Sequence, residues 1–102
     1  MASDYFVGIY SRGSRWSHGK TVLEQPLEAH FAYMKELQRS CILVLGGPFK
    51  DDEGALAVIK AVSLVEAQLI FADDPGVKQE IFNVRVHSWF VSVEGRVSQK
   101  PW

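Results

Sequence analysis

The sequence has few of the features that mark secreted, metal-binding or membrane proteins. Its single cysteine, Cys41, excludes a disulfide framework and a cysteine-based metal site. No apolar run approaches the length of about 20 residues that a membrane-spanning helix needs. The formal net charge is −1, so we expect no nucleic-acid partner and no membrane partner recognised through bulk charge.

Composition and the N-terminal segment predict one cytoplasmic domain. The segment Met1 to Asp4 lacks the basic and apolar regions of a signal peptide. Hydrophobic residues make up 47% of the 102 residues and aromatic residues 12%, a composition that favours a packed core over disorder. We expect a single domain over residues 1–102, with a core from about 5 to 93 and a tail over 94–102.

Hydrophobic periodicity and turn residues predict alternating strands and helices. Ser63-Leu64-Val65-Glu66 is typical of a helix start, as is Asp74 followed by Pro75. Gly46-Gly47-Pro48 is expected to end the second strand. The predicted elements are a strand over 5–10, a helix over 26–39, strands over 41–45 and 55–61, helices over 64–72 and 75–82, and a strand over 84–93.

The resulting βαββαβ order predicts an α+β fold, the ferredoxin-like sandwich. Such an antiparallel sheet carries its helices on one face, and strands rich in valine, isoleucine and phenylalanine do not face water on both sides. A chain of 102 residues has no third layer to cover the second face. We therefore expect a homodimer packed sheet to sheet, as in a dimeric α+β barrel.

A histidine on the apolar face of the first predicted helix is the main candidate for chemistry. Burial of His30 requires a partner for its ring nitrogens. Asp74, or Asp73 if the register differs by one, is a candidate partner, and the pair would act as a general base near neutral pH. Two other interpretations stay open: His30 is a core or interface histidine, and Asp74 only caps its helix.

Two further groups of residues are candidates for binding an anionic aromatic substrate. The loop after the first strand carries Arg12, Arg15, Trp16, His18 and Lys20. Its cations suit a phenolate or carboxylate and its indole suits stacking on a ring, although a solvated loop is the alternative. On the last strand Arg85, His87 and Trp89 share one face and form either a second wall of the pocket or a dimer interface. Histidine spacing typical of a metal site is absent, so no metal is expected.

Several features, in this order, resemble the YCII-related family of small dimeric proteins. The likeness runs from about residue 5 to 93 and rests on Tyr5 and Tyr10, Ala29-His30, Gly46-Gly47-Pro48, Phe71-Ala72-Asp73-Asp74-Pro75 and Trp89. The resemblance implies a dimeric α+β sandwich whose pocket is lined by a histidine and an aspartate, here His30 and Asp74. This chain departs from shorter members in its long loop over 11–25 and in carrying His87 beside Arg85.

The resemblance also implies a class of chemistry. One characterised type of member removes HCl from a chlorinated hydroxyquinol during the breakdown of aromatic compounds. The fold is also similar to that of muconolactone isomerases. We therefore expect a cofactor-independent enzyme acting on a small aromatic anion, with dehydrochlorination as the first hypothesis. A muconolactone-isomerase-like enzyme and a non-catalytic ligand-binding or structural dimer are the alternatives.

Overall fold

A computed structural model describes residues 4–95, which form four strands and three α-helices. The elements are β1 (Asp4–Arg12), a short 3-10 helix (Val22–Glu24), α1 (Glu28–Arg39), β2 (Leu43–Pro48), β3 (Ala55–Ala61), α2 (Leu64–Ala72), α3 (Pro75–Lys78) and β4 (Phe82–Trp89). Residues 1–3 and most of the predicted tail, from 96 to 102, lie outside the described part of the chain. No helix within residues 4–95 is long and apolar enough to cross a membrane.

The four strands form one antiparallel sheet in the order β2-β3-β1-β4. This order and the βαββαβ sequence of elements confirm the predicted α+β ferredoxin-like fold. In β1, Phe6 and Tyr10 are buried on the face that carries the helices. Between them lies Gly8, where a Cβ atom would overlap the ring of Phe71, so this glycine lets α2 pack directly on the sheet.

The second strand differs from its prediction. Gly46-Gly47-Pro48 belongs to β2 and pairs with β3 rather than ending the strand. Proline is tolerated here because β2 lies at the edge of the sheet, where one side of the strand needs no ladder partner. Cys41 does not open the strand: it is exposed, with φ at 61°, in the turn after α1.

The helix ends also differ. Helix α1 begins at Glu28 with Leu27 as its N-cap, two residues after the predicted start at Pro26. Helix α3 ends at Lys78, and Glu80, with φ at 62°, turns the chain into β4. The last strand therefore begins and ends earlier than the predicted range of 84–93.

Candidate active site

Asp74 stabilises the start of α3 through both its backbone and its side chain. It is the N-cap of α3, with Pro75 in the first turn, and its Oδ1 accepts a hydrogen bond from the backbone N–H of Gly76 at 2.8 Å. The whole residue is 0% exposed. A buried carboxylate needs further donors, and they come from α1 and β1.

The first donor is His30 in the opening turn of α1. Its Nδ1 lies 2.9 Å from Oδ1 and 2.8 Å from Oδ2 of Asp74. Since an ionised carboxylate only accepts hydrogen bonds, the proton is assigned to Nδ1. The predicted pair is therefore present in the structure and the register is settled, because Asp73 is exposed and instead forms an ion pair with Lys78 at 3.4 Å.

The second donor, Tyr10 on β1, was missing from the predicted site. Its hydroxyl donates to Oδ2 of Asp74 at 2.9 Å. Burial, followed by the charge of Asp74, raises the pKa of the Tyr10 phenol, so the group stays protonated and remains a donor. The signal in the sequence was a tyrosine at an inward position of a central strand, since a buried tyrosine hydroxyl usually finds a partner.

Aromatic side chains surround the His30 ring. The ring centroids of Tyr10, Phe31 and Phe82 lie 5.7, 5.4 and 5.4 Å from that of His30. Within residues 4–95, Nε2 of His30 makes no hydrogen bond, and the imidazole side chain keeps 9% of its surface exposed. Among residues 4–95, the side-chain nitrogen that is fully buried and lacks a hydrogen-bond partner is Nε1 of Trp16. Nε2 of His30 also lacks a partner but is not fully buried, so it retains contact with solvent. The arrangement presents an imidazole whose accepting nitrogen faces outward from a fixed carboxylate.

Trp16 occupies a different place from the one predicted. Only 3% of it is exposed, and its ring packs at 5.8 Å on Phe82, which separates it from His30. The guanidinium of Arg12 lies 5.2 Å above the indole. The expectation that this indole stacks on a substrate ring is therefore wrong for the described conformation, because its faces are taken up by the core and by Arg12.

The cations of the loop are divided between structure and solvent. Arg12 donates to the backbone oxygen of Asp52 at 3.2 Å and lies 3.9 Å from the Glu53 carboxylate. Arg15 and His18 are exposed. The loop is held against the body of the protein, since the backbone N–H groups of Gly13 and Arg15 donate to Ile81 and Glu80 at 2.8 Å.

The structure places the predicted site residues of the last strand away from His30 and Asp74. Strand β4 directs Phe82 toward the helices and His30. Arg85, His87 and Trp89 are an odd number of residues further along, so they lie on the opposite face of the sheet. The prediction that they form a second wall around His30 is therefore wrong within one chain.

Residues 4–95 form a surface groove away from His30 and Asp74. An open groove of about 470 Å³ lies on the helix face beside the edge strand, and it is lined by Gln68, Ala72, Val77, Asn83, Val84 and Val86. Tyr10, His30 and Asp74 do not line this groove. In the same range, no three side chains of histidine, cysteine, aspartate or glutamate come together in a way that would hold a metal ion.

Comparison with known proteins places the chain in a family. No curated protein matches it at a significant level. Among solved structures, it is similar to 5-chloro-2-hydroxyhydroquinone dehydrochlorinase (TftG) from Burkholderia phenoliruptrix AC1100, in complex with 2,5-dihydroxybenzoquinone. The TM-score is 0.61 at 24% identity, over 83% of this chain and 93% of the other, so the two share a fold. The YCII-related domain matches residues 8–90, and the chain therefore belongs to the YCII-related family.

Proposed function

We propose that this protein is a cofactor-independent enzyme that uses His30 as a general base on a small oxygenated aromatic anion. The observation that carries the proposal is the fixed imidazole: Nδ1 is bound to a fully buried carboxylate, and Nε2 has no partner within residues 4–95. A hydrogen bond to Nδ1 selects the tautomer in which Nε2 accepts a proton. The Asp74 carboxylate then stabilises the imidazolium that forms.

The reaction that fits this base is the elimination of HCl from a chlorinated hydroxyquinol. One ring hydroxyl gives its proton to Nε2 and becomes a carbonyl, and the imidazolium then gives this proton to the ring carbon that bears chlorine. A second hydroxyl then gives its proton to the freed Nε2, its electron pair forms the second carbonyl, and the C–Cl bond breaks to release chloride. The balance is loss of HCl to give a hydroxybenzoquinone, with no oxidant or cofactor. The shared fold with a dehydrochlorinase supports this choice of substrate.

Anion recognition in this proposal falls to the exposed basic side chains of the loop. Arg15 and His18 have no ion-pair partner among residues 4–95 and are accessible to a phenolate oxygen. Arg12 has a weaker claim, because it is already engaged with Asp52 and Glu53. Trp16 supports the site indirectly, because it packs on Phe82 and Phe82 in turn contacts His30.

The homodimer is part of the same proposal. The sheet face opposite the helices exposes large apolar side chains, including Ile9, Leu45 and Trp89, which are 38%, 39% and 47% exposed. A second copy packed on this face would cover them and would also place Arg85 and His87 in the interface. That location fits the interface interpretation of these two residues better than a role beside His30 of the same chain.

The direct test is turnover on 5-chlorohydroxyquinol, followed by quinone absorbance and by chloride release. The proposal predicts turnover by the wild-type protein without added metal or cofactor. Absence of turnover, together with isomerisation of a muconolactone, would favour the isomerase alternative. Absence of both activities, with His30→Gln lowering only the stability of the dimer, would favour a structural role for the pair.

A further inference from the structure

Oδ2 of Asp74 is shared between two side chains from different elements. It lies 2.8 Å from Nδ1 of His30 and accepts the hydroxyl of Tyr10 at 2.9 Å. We infer that Tyr10 is a positioning residue of this site: its hydroxyl holds the carboxylate in place and sets how strongly Asp74 binds the charged form of His30. The kinetic consequence rests on the proposed function, whereas the effect on the imidazole does not.

The burial of Asp74 makes this shared contact important. The residue is 0% exposed, so its carboxylate exchanges no hydrogen bonds with bulk water. Within residues 4–95 its donors are His30, Tyr10 and the backbone N–H of Gly76. The Tyr10 hydroxyl on β1 and the Gly76 N–H in α3 therefore fix the orientation of the carboxylate independently of its contact with the imidazole. Hydrogen bonds to an ionised acceptor are stronger than those between neutral groups, so each donor contributes to holding the Asp74 carboxylate in its orientation.

The two side-chain donors compete for the same negative charge. A hydroxyl that donates to Oδ2 disperses part of the charge on the carboxylate, which then attracts an imidazolium less strongly. The neutral imidazole is the form that accepts a proton from a substrate. Without the hydroxyl, the carboxylate would hold the imidazolium more tightly and the base would need a higher pH to be free.

Packing alone does not account for the hydroxyl of Tyr10. Its ring makes edge contacts with Phe71 and Phe82 at 6.0 and 5.2 Å, and a phenylalanine ring at this position would make the same contacts. A phenylalanine would also spare the cost of burying a polar group. The hydroxyl is therefore explained by its bond to Asp74 rather than by the core.

Other titratable groups act on the same region and provide a control. Burial, followed by the charges of Asp73 and Asp74, raises the pKa of the Tyr33 hydroxyl on α1, and Asp73 is paired with Lys78. The Tyr33 hydroxyl, however, donates to the backbone oxygen of Ile70 at 2.7 Å and not to the carboxylate of Asp74. Tyr33→Phe therefore removes one tyrosine hydroxyl without removing a donor from Asp74.

The experiment compares Tyr10→Phe with Tyr33→Phe by nitrogen-15 NMR of the histidine rings across a pH titration. The chain has 3 histidines, and loss of one set of signals in His30→Gln assigns His30. We expect the titration midpoint of the His30 ring to be higher in Tyr10→Phe than in the wild type and to be unchanged in Tyr33→Phe. The acid limb of the pH–rate profile should move by the same amount, with kcat affected and KM nearly unchanged.

The outcomes separate the two claims. An unmoved midpoint in folded Tyr10→Phe, or an equal shift in both variants, would overturn the positioning role. A shifted midpoint in a protein that turns over no chlorohydroxyquinol would support the positioning role and refute the proposed function. Should Tyr10→Phe fail to fold, 3-fluorotyrosine at position 10 keeps the ring and strengthens the donor. The midpoint must then move to lower pH, and a move in the other direction would contradict the inference.

Discussion

Nδ1 of His30 lies 2.9 and 2.8 Å from the two carboxylate oxygens of Asp74, although the residues are 44 positions apart in the chain. The contact joins the start of α1 to the start of α3. The same aspartate caps α3, so local folding and the proposed chemistry depend on one side chain. Substitutions that keep the cap and change the base are therefore the informative ones.

Replacing the base should abolish most of the activity and keep the fold. We expect His30→Gln to lower turnover by about 10²–10⁴-fold, the usual contribution of a general base. The glutamine amide still offers a donor to Asp74, so the carboxylate keeps a partner. Turnover and far-ultraviolet circular dichroism measured on the same samples check this prediction. Unfolding of the variant would instead indicate a structural role for His30.

Replacing the carboxylate by its amide should reverse the tautomer of the imidazole. In Asp74→Asn an amide oxygen at the position of Oδ1 still accepts from the backbone N–H of Gly76. The amide nitrogen then replaces Oδ2, which faces the Tyr10 hydroxyl and Nδ1 of His30, and it donates to Nδ1. The ring proton then moves to Nε2, and the lone pair that served as the base is lost. Nitrogen-15 chemical shifts of the ring would show this exchange, and turnover should fall by about as much as in His30→Gln. Retention of the Nδ1–H tautomer in Asp74→Asn would contradict the account.

Alkaline pH should destabilise the protein through Tyr10. Burial raises the pKa of its phenol, so in the range above about pH 10 the unfolded chain loses this proton and the folded chain keeps it. The free energy of unfolding is therefore unaffected by this group at lower pH and falls as the pH rises beyond that value. Urea denaturation from pH 8 to 11 should show a smaller alkaline loss of stability in Tyr10→Phe than in the wild type. Equal losses in both proteins would show that Tyr10 ionises normally when folded.

The elements that were predicted correctly are those marked by strong local signals in the sequence, such as capping residues and alternating apolar positions. Strand β3 was predicted within its observed bounds, and so was α2, where Ser63 accepts from the backbone N–H of Glu66 at 3.1 Å. Capping residues and alternating apolar positions are properties of neighbouring residues, so they can be read without the fold. The pairing of His30 with Asp74 was proposed from the residues and was also implied by the family resemblance, which the match over residues 8–90 supports.

The errors concern relations that exist only in the folded protein. Gly46-Gly47-Pro48 has the composition of a turn, and only the edge position of β2 lets it continue a strand. The period of β4 correctly grouped Arg85 with His87, but periodicity does not say which face of the sheet His30 lies on. Trp16 was predicted to stack on a substrate ring, with a solvated loop as the alternative, whereas the loop folds back and buries its indole on Phe82.

A charge on the open face of the sheet should prevent the proposed dimerisation. Ile9 lies on the central strand β1 and faces away from Tyr10 and the helices. In Ile9→Lys an ammonium group would be buried between the two sheets, so we expect a monomer at concentrations where the wild type is a dimer. Leu69→Lys is the matched control, because Leu69 is an exposed apolar residue on α2. Sedimentation equilibrium decides the matter, and a wild-type monomer at high concentration would refute the dimer.

The central claim is that the His30–Asp74 pair removes a proton from a chlorinated hydroxyquinol and so releases chloride. The most direct measurement is the ratio of chloride to hydroxybenzoquinone formed by wild-type protein and by His30→Gln, side by side and without added metal or cofactor. The account predicts one chloride for each quinone with the wild type and almost none of either with the variant. Equal rates in the two proteins would contradict it.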